Sequence, residues 1–397
     1  MSSSSLPSEE PSEPPLFSRD FALVLATQLT FGFAFSSFFL LPKFVVTELH
    51  GSASQVGYVG ALAVVAAIAI SPLCGRLVDG GGRRWLMFAG CLMLALSGVA
   101  FLGVTSIGPY LYAVRALQGI AYSLYFVAGT TLVADLAAPS KLGQALGWFG
   151  AGGLVMNAVA TVVAERIAHA FGWPAVFEAA AVSGVAGALL SLCLRVPSRA
   201  RHLAPRTQVA ALEPQASRIP VLWAAAAGGA AFGVMFTFTQ PLALSLGETN
   251  ISPLFTGYTL AALLVRLGFG NLGDRFGRAR VSAGALLIYS LVVAATAGLT
   301  RGWLGALGLG FGVAHGAFYP SLNALALEHA PREKRGMIGA YFNAAFNAGT
   351  LLVTFCFGQI AQSYGYRVVF LLVASLTVTG CFALLGQPRK PALARPS

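Results

Sequence analysis

Twelve apolar runs, each long enough to cross a hydrocarbon layer, limit what this chain can fold into. They lie at 21–46, 53–78, 85–105, 107–136, 140–168, 173–195, 219–245, 252–273, 281–300, 302–329, 335–363 and 366–386, and a spanning helix needs roughly 20 mostly apolar residues. With 56% apolar and 10% charged residues and a mean hydropathy of +0.74, too little polar surface is left to cover a soluble globule. A lipid-facing barrel needs strands of about 10 residues in strict alternation, whereas Ala61 to Ile70 is apolar throughout. The expected fold is an all-α membrane protein of about twelve transmembrane helices.

The chain is also internally duplicated. Gly75-Arg-Leu-Val-Asp79-Gly-Gly-Gly82-Arg83-Arg84 returns 195 residues later as Gly270-Asn-Leu-Gly-Asp274-Arg275-Phe-Gly277-Arg278-Ala-Arg280. A second ungapped match, at an offset of 193, runs from Gly119, Asp135, Lys141 and Gly143 to Gly312, Glu328, Lys334 and Gly336. Such duplication predicts two pseudo-symmetric six-helix bundles with a substrate route at their interface. The expected organisation is a disordered tail over 1–20, bundles over 21–196 and 219–386, a Pro- and Arg-containing linker over 197–218, and a second tail over 387–397.

Basic residues accumulate in cytoplasmic loops. With both termini inside, nineteen Lys and Arg lie on that side and four outside. The net charge of +11 thus reports orientation in a membrane. The basic residues are scattered over many loops rather than gathered on one face, so no nucleic-acid partner is expected. The expected partners are a small-molecule substrate and the bilayer, with the protein monomeric. Cys74, Cys91, Cys193, Cys356 and Cys381 have no metal-like spacing and read as free thiols. No metal and no cofactor is expected. Neither a nucleophile motif, nor His-Glu-x-x-His, nor a phosphate loop occurs, so an enzyme is not expected and energy must come from an ion or substrate gradient.

Ionisable residues inside spans are candidates for function because burying them is costly. Arg115 lies in the fourth span, on a stripe with Gln118, Tyr122 and Tyr125 at helical steps. The alternative is that it only bonds carbonyls and neighbouring helices. The matching stripe of the tenth span carries Gly308, Phe311, His315 and Phe318, with Tyr319 four residues beyond His315 and placed to orient it. Arg266 lies eight residues before Asp274, about 12 Å above the loop at 1.5 Å per residue, placed to meet a carboxylate or an anionic substrate. Packing roles are the alternative for each. Glu165, Arg166 and Glu178 read as a solvated ion-pair group at the outer ends of the fifth and sixth spans. Asn157, Asn343 and Asn347 suit helix bridging.

The duplicated loop resembles the Gly-x-Leu-x-Asp-Arg-x-Gly-Arg-Arg loop of the major facilitator superfamily, and the resemblance spans Phe21 to Gly386. The first copy departs from it at Gly80. The resemblance implies a conformational latch made by Gly75, Asp79, Gly82, Arg83 and Arg84 and by Gly270, Asp274, Arg275, Gly277 and Arg278. Glycines allow a tight turn and each Asp is expected at the positive start of a helix in the other half. Asp79 would face the start of the eleventh helix near Gly336, and Asp274 the start of the fifth near Gly143. Arg115-Ala-Leu-Gln118-Gly119 matches an Arg-x-x-Gln-Gly pattern associated in relatives with proton coupling, which makes Arg115 a coupling candidate beside the intramembrane Arg266 and His315. In this family helices one, four, seven and ten line the cavity. Here they offer Gln28, Phe31, Phe35, Gln118, Tyr122, Phe232, Phe236, Gln240 and Tyr319, a wall suited to a moderately apolar organic compound. The stretch from Leu29 to Pro42 looks most like bacterial sugar-efflux and multidrug-type exporters, although Gly147 to Ala158 lacks the Pro those exporters often carry. The resemblance implies a proton-coupled, alternating-access exporter of a small organic compound. An importer, or a membrane receptor that moves nothing, are the alternatives.

Overall fold

The computed structural model describes residues 17–80, 82–195, 219–269, 272–328 and 335–386. The expected linker and most of both expected tails lie outside the described residues. Among those described there is no β-strand and there are twelve long helices. The first half holds α1 (Arg19–Thr47), α2 (Ala53–Asp79), α3 (Arg83–Phe101), α4 (Pro109–Leu136), α5 (Leu142–Phe171) and α6 (Trp173–Leu192). The second holds α7 (Ile219–Ser245), α8 (Ser252–Phe269), α9 (Arg278–Ala297), α10 (Leu304–Leu327), α11 (Arg335–Tyr364) and α12 (Tyr366–Leu385). Ten of them are long and apolar enough to cross a membrane by length and composition. The other two are α8, which carries Arg266, and α10, which holds five glycines, His315 and Pro320.

Local chemistry sets the helix ends. α1 starts two residues before its apolar run because Ser18 Oγ accepts the Phe21 N–H at 3.2 Å. α2 starts in a capping box made by Ser52 and Gln55. α1 is interrupted by a 3₁₀ turn at Phe38–Leu40 ahead of Pro42, and α7 is interrupted at Phe238 ahead of Pro241. Proline removes a backbone donor and crowds the preceding turn, which accounts for both breaks. The eighth span is described as far as Phe269 and again over Leu272–Phe276, after which Gly277 turns the chain at φ +89° into α9.

The two halves repeat one packing plan. α2 packs on α4 as α8 packs on α10, α3 on α6 as α9 on α12, and α1 on α5 as α7 on α11. Small residues permit the close approach that helices in lipid depend on. A Cβ built on Gly119 would lie 2.0 Å from the Ala63 carbonyl oxygen, and one on its repeat mate Gly312 would lie 2.3 Å from that of Tyr258. Between the halves, α2 packs on α11 and α5 on α8.

These contacts yield a stability prediction. Gly119→Ala should cost about 1–3 kcal/mol through overpacking, read as a lower unfolding temperature in detergent. Gly284→Ala, where a Cβ meets nothing within 4 Å, should leave that temperature unchanged.

Candidate functional site

The halves enclose a cavity of about 130 Å³ whose wall includes Phe39, Val59, Arg115, Phe232, Phe236 and Thr354. Its roof crosses between the halves, because Gln240 Nε2 donates to Phe39 O at 2.7 Å and the Phe39 ring meets Phe236 at 5.6 Å and Phe255 at 5.9 Å. Above the roof, on the face opposite the ends of α1 and α12 nearest the chain termini, the halves are in backbone contact. A Cβ on Gly57 would lie 2.2 Å from Thr354 O and one on Gly358 would lie 2.9 Å from Ser54 Cα. Ser54 bonds Gln362 and Tyr58 bonds Gln359 across the same seam. On the terminus-side face the corresponding glycines are free of neighbours. A Cβ on Gly75 of α2, Gly143 of α5 or Gly339 of α11 would meet nothing within 4 Å. The cavity is therefore sealed at the far face, and among the described residues these terminus-side glycines make no close helix contact.

Of the residues singled out from the sequence, Arg115, Phe232 and Phe236 reach this wall. Arg115 Nε donates to Val59 O of α2 at 3.0 Å, and its guanidinium also bonds Gln118. Gln118, 1% exposed, donates in turn to Ser97 of α3 at 3.2 Å, so it stands behind Arg115 rather than on the wall. Gln240 is fully buried in the roof. Phe31 stacks on Tyr125 at 3.8 Å, and Phe35 stacks on Tyr122 at 4.9 Å. Buried Gln28 lies against Gly152 and Gly153 of α5, and its Oε1 has no hydrogen-bond partner.

His315 sits in an aromatic cluster of the second half, with Phe232 at 5.4 Å and Tyr258 at 5.6 Å between ring centroids. Its Nδ1 shares a hydrogen bond with the Tyr289 hydroxyl of α9. Tyr319, expected to orient it, meets its ring at 5.6 Å between centroids and donates to Asn343 Oδ1 of α11 at 2.7 Å. Arg266 lies near the last described residues of α8. Its Nε is buried without a hydrogen-bond partner. Asn157 and Asn343 bridge helices as expected, the former accepting from Ser36 Oγ at 2.9 Å.

Both loop copies carry an ion pair to the end of a neighbouring helix. Arg83 Nε lies 2.6 Å from Asp135 Oδ2, a side-on contact that satisfies charge without a directed hydrogen bond. Arg278 lies 3.9 Å from Glu328. These four residues occupy matching positions in the two repeats. Arg84 lies over the Trp85 ring at 4.9 Å, and Arg275 is exposed. Gly270 lies outside the described residues, as do the side chains of Asp79 and Asp274 and those at the start of α11, and with them both expected Asp contacts.

The reading of Glu165, Arg166 and Glu178 as one solvated group is overturned. Arg166 and Glu178 are exposed, whereas Glu165 is 3% exposed and bonded across the halves. Glu165 Oε1 accepts Lys43 Nζ at 2.5 Å and the Ile251 N–H at 2.8 Å, and Oε2 accepts the Ser252 N–H at 2.7 Å. Lys43 Nζ also donates to Thr249 O at 2.5 Å. One sequence signal points here: Lys43 and Glu165 are opposite charges inside the first and fifth apolar runs.

Two pseudo-symmetric six-helix halves, closed over a cavity at one face, define a membrane transporter. The chain belongs to the Major Facilitator Superfamily, whose profile matches residues 23–249 and 225–397, and it is a secondary transporter. It is 25% identical over 335 residues to the multidrug resistance protein MdtG of Dickeya zeae, covering 79% of each chain. It is also 25% identical over 380 residues to the multi-drug resistance efflux pump PmrA of Streptococcus pneumoniae, covering 88% of this chain and 90% of the other. A point mutant of the nucleoside transporter NupG shares the fold with a TM-score of 0.77 at 16% identity, over 93% of this chain and all of the other. A bacterial homologue of the lysosomal transporter Spinster, solved inward-facing and unoccupied, superposes with a TM-score of 0.72 at 15% identity, over 95% of this chain and all of the other.

The two loop ion pairs should differ in worth. Asp135→Asn leaves the buried Arg83 unpaired and should lower stability by about 1–3 kcal/mol. Glu328→Gln breaks a long, largely solvated pair and should cost under about 1 kcal/mol. Thermal unfolding of the two variants in one detergent checks the order.

Proposed function

We propose that the protein is a proton-coupled exporter of small, mostly apolar organic compounds in a bacterial inner membrane, with both termini in the cytoplasm. The observation that carries this reading is the cavity: aromatic and aliphatic walls with Arg115 as their one charged residue, sealed at the far face. The excess of basic residues on the terminus side supports calling that side cytoplasmic, which makes the sealed far face the outer one. The names of the relatives, multidrug resistance protein and efflux pump, support export. In the opposite state Asp79 and Asp274 serve as latches at the helix starts, closing the terminus side.

Charge narrows the substrate. The cavity wall carries Arg115 and no carboxylate, and the charge that bears on neighbouring His315 is again a cation, Arg266. A low-dielectric chamber with fixed cations and no carboxylate disfavours a cationic ligand and admits neutral or singly anionic ones. A phosphate or dicarboxylate would want several convergent cations. The substrate class is therefore a neutral or weakly acidic amphipath.

The test is luminal pH in acid-interior, inside-out vesicles to which neutral amphipaths, weakly acidic amphipaths and a lipophilic cation are added in turn. Neutral and acidic compounds should alkalinise the lumen, and Arg115→Ala should reduce the rate at least about tenfold. That corresponds to ~1.4 kcal/mol, less than one charged hydrogen bond provides. A response confined to the cation would overturn the charge argument, and none with any compound would overturn proton-coupled export.

A further inference from the structure

α8 begins without a cap of its own. The first N–H groups of any helix have no partner within it, and α2 solves this locally with Ser52 and Gln55. At the start of α8, Ser252 Oγ is spent on Asn250 Oδ1 at 2.9 Å. The Ile251 and Ser252 N–H groups are instead taken up by Glu165, 86 and 87 residues earlier in the other half. Lys43 completes the grip by donating to Thr249 O. The segment from Thr249 to Ser252 is thus held at its carbonyl by a cation and at its amides by an anion, both supplied from the first half.

We infer that Glu165 and Lys43 form the outer gate of the transport cycle, a cap supplied in trans to α8 that must come off before the far face opens. The ion pair between them lies within one half, so it survives opening and neither charge is left unpaired at low dielectric. What opening breaks are the bonds to α8. The gate's strength therefore lies in the helix cap and its favourable dipole, not in separating two charges. The repeat mate of Glu165 is Gly358, which lies directly on the backbone of Ala53 and Ser54 at the start of α2. One outer seam is accordingly close-packed and the other is clasped. Beside the clasp, a cleft of about 570 Å³ lined by Arg166, His169 and Asn250 gives water a short path to α8 when the clasp releases.

The test uses a variant lacking the five native cysteines and carrying Val59→Cys, a cavity-lining position 2% exposed beneath the seal. A membrane-impermeant maleimide is applied to right-side-out and inside-out vesicles. The parent should label from one face, that of the chain termini. Glu165→Gln should label from the far face at least about tenfold faster than the parent does. The exchanged pair Lys43→Glu with Glu165→Lys should do so too, because it keeps the ion pair but sets an anion on Thr249 O and a cation on the α8 amides. The exchanged protein carries no unpaired charge, so it also decides the matter should Glu165→Gln fold poorly. An exchanged pair as well sealed as the parent would show that the ion pair alone closes the gate, and parental labelling in both variants would show that the clasp is no gate; either result overturns the inference.

Discussion

In hydrocarbon a backbone N–H has no water to bond, and everything in this molecule depends on that constraint. It makes the spans helical, since a helix satisfies its own interior. It also leaves the helix starts as places where backbone polarity is still unspent. Where a start lies in the chain's own polar loop, as at Ser18 and Ser52, a local side chain suffices. The start of α8 is buried against the other half, and there the bond must come from across the seam. A bond between halves that satisfies a helix end is by nature conditional: it exists only while the seam is shut. The means by which the fold meets a general rule of membrane structure thus becomes a point at which its two states are distinguished.

The buried cations obey the same accounting. An arginine at depth costs at least roughly 2.5–3.5 kcal/mol, and a hydrogen bond to a charged group returns about 1.5–3 kcal/mol. Arg115 has two such bonds, to Val59 O and Gln118, and Gln118 is itself fixed by Ser97. Arg115 is therefore held in place with no substrate needed to stabilise it, and it presents a preorganised charge at the cavity wall. Arg266 is in a different position. Its Nε is buried with no hydrogen-bond partner. The first half carries a satisfied cation at the wall and the second a cation with hydrogen-bonding capacity left over, which makes the chamber asymmetric despite the repeat.

What is legible in the sequence follows from periodicity and repetition. The spans, the duplication and the paired positions of Arg83 with Arg278 and of Asp135 with Glu328 all appear in the linear order, and the coordinates return them as matching ion pairs. What is not legible depends on partners far apart in sequence. Tyr289, the hydrogen-bond partner of His315, lies 26 residues away on another helix, whereas the i+4 neighbour Tyr319, legible from spacing, supplies a ring contact. Glu165 reads as solvated because it stands beside Arg166 in sequence. On a helix, consecutive residues point about 100° apart, and here one faces the seam while the other faces out.

The proposed cycle then rests on two kinds of end contact at opposite faces. At the far face, Glu165 of the first half holds the start of α8 in the second. At the terminus side, the latch proposed above sets Asp79 of the first half at the start of α11, also in the second. Each contact places a carboxylate at the positive end of a helix, and rocking the halves about the cavity closes one face only by parting the other. The two contacts therefore compete for one rigid-body motion rather than acting as independent locks. The exchange of one cap for another of the same chemistry keeps the energies of the end states close, because what is lost at one face is regained in kind at the other. A population balanced in this way is tipped by small inputs, since ~1.4 kcal/mol is already a tenfold shift. The binding of one substrate, or the arrival of one proton on a group that distinguishes the states, is then enough to drive the cycle.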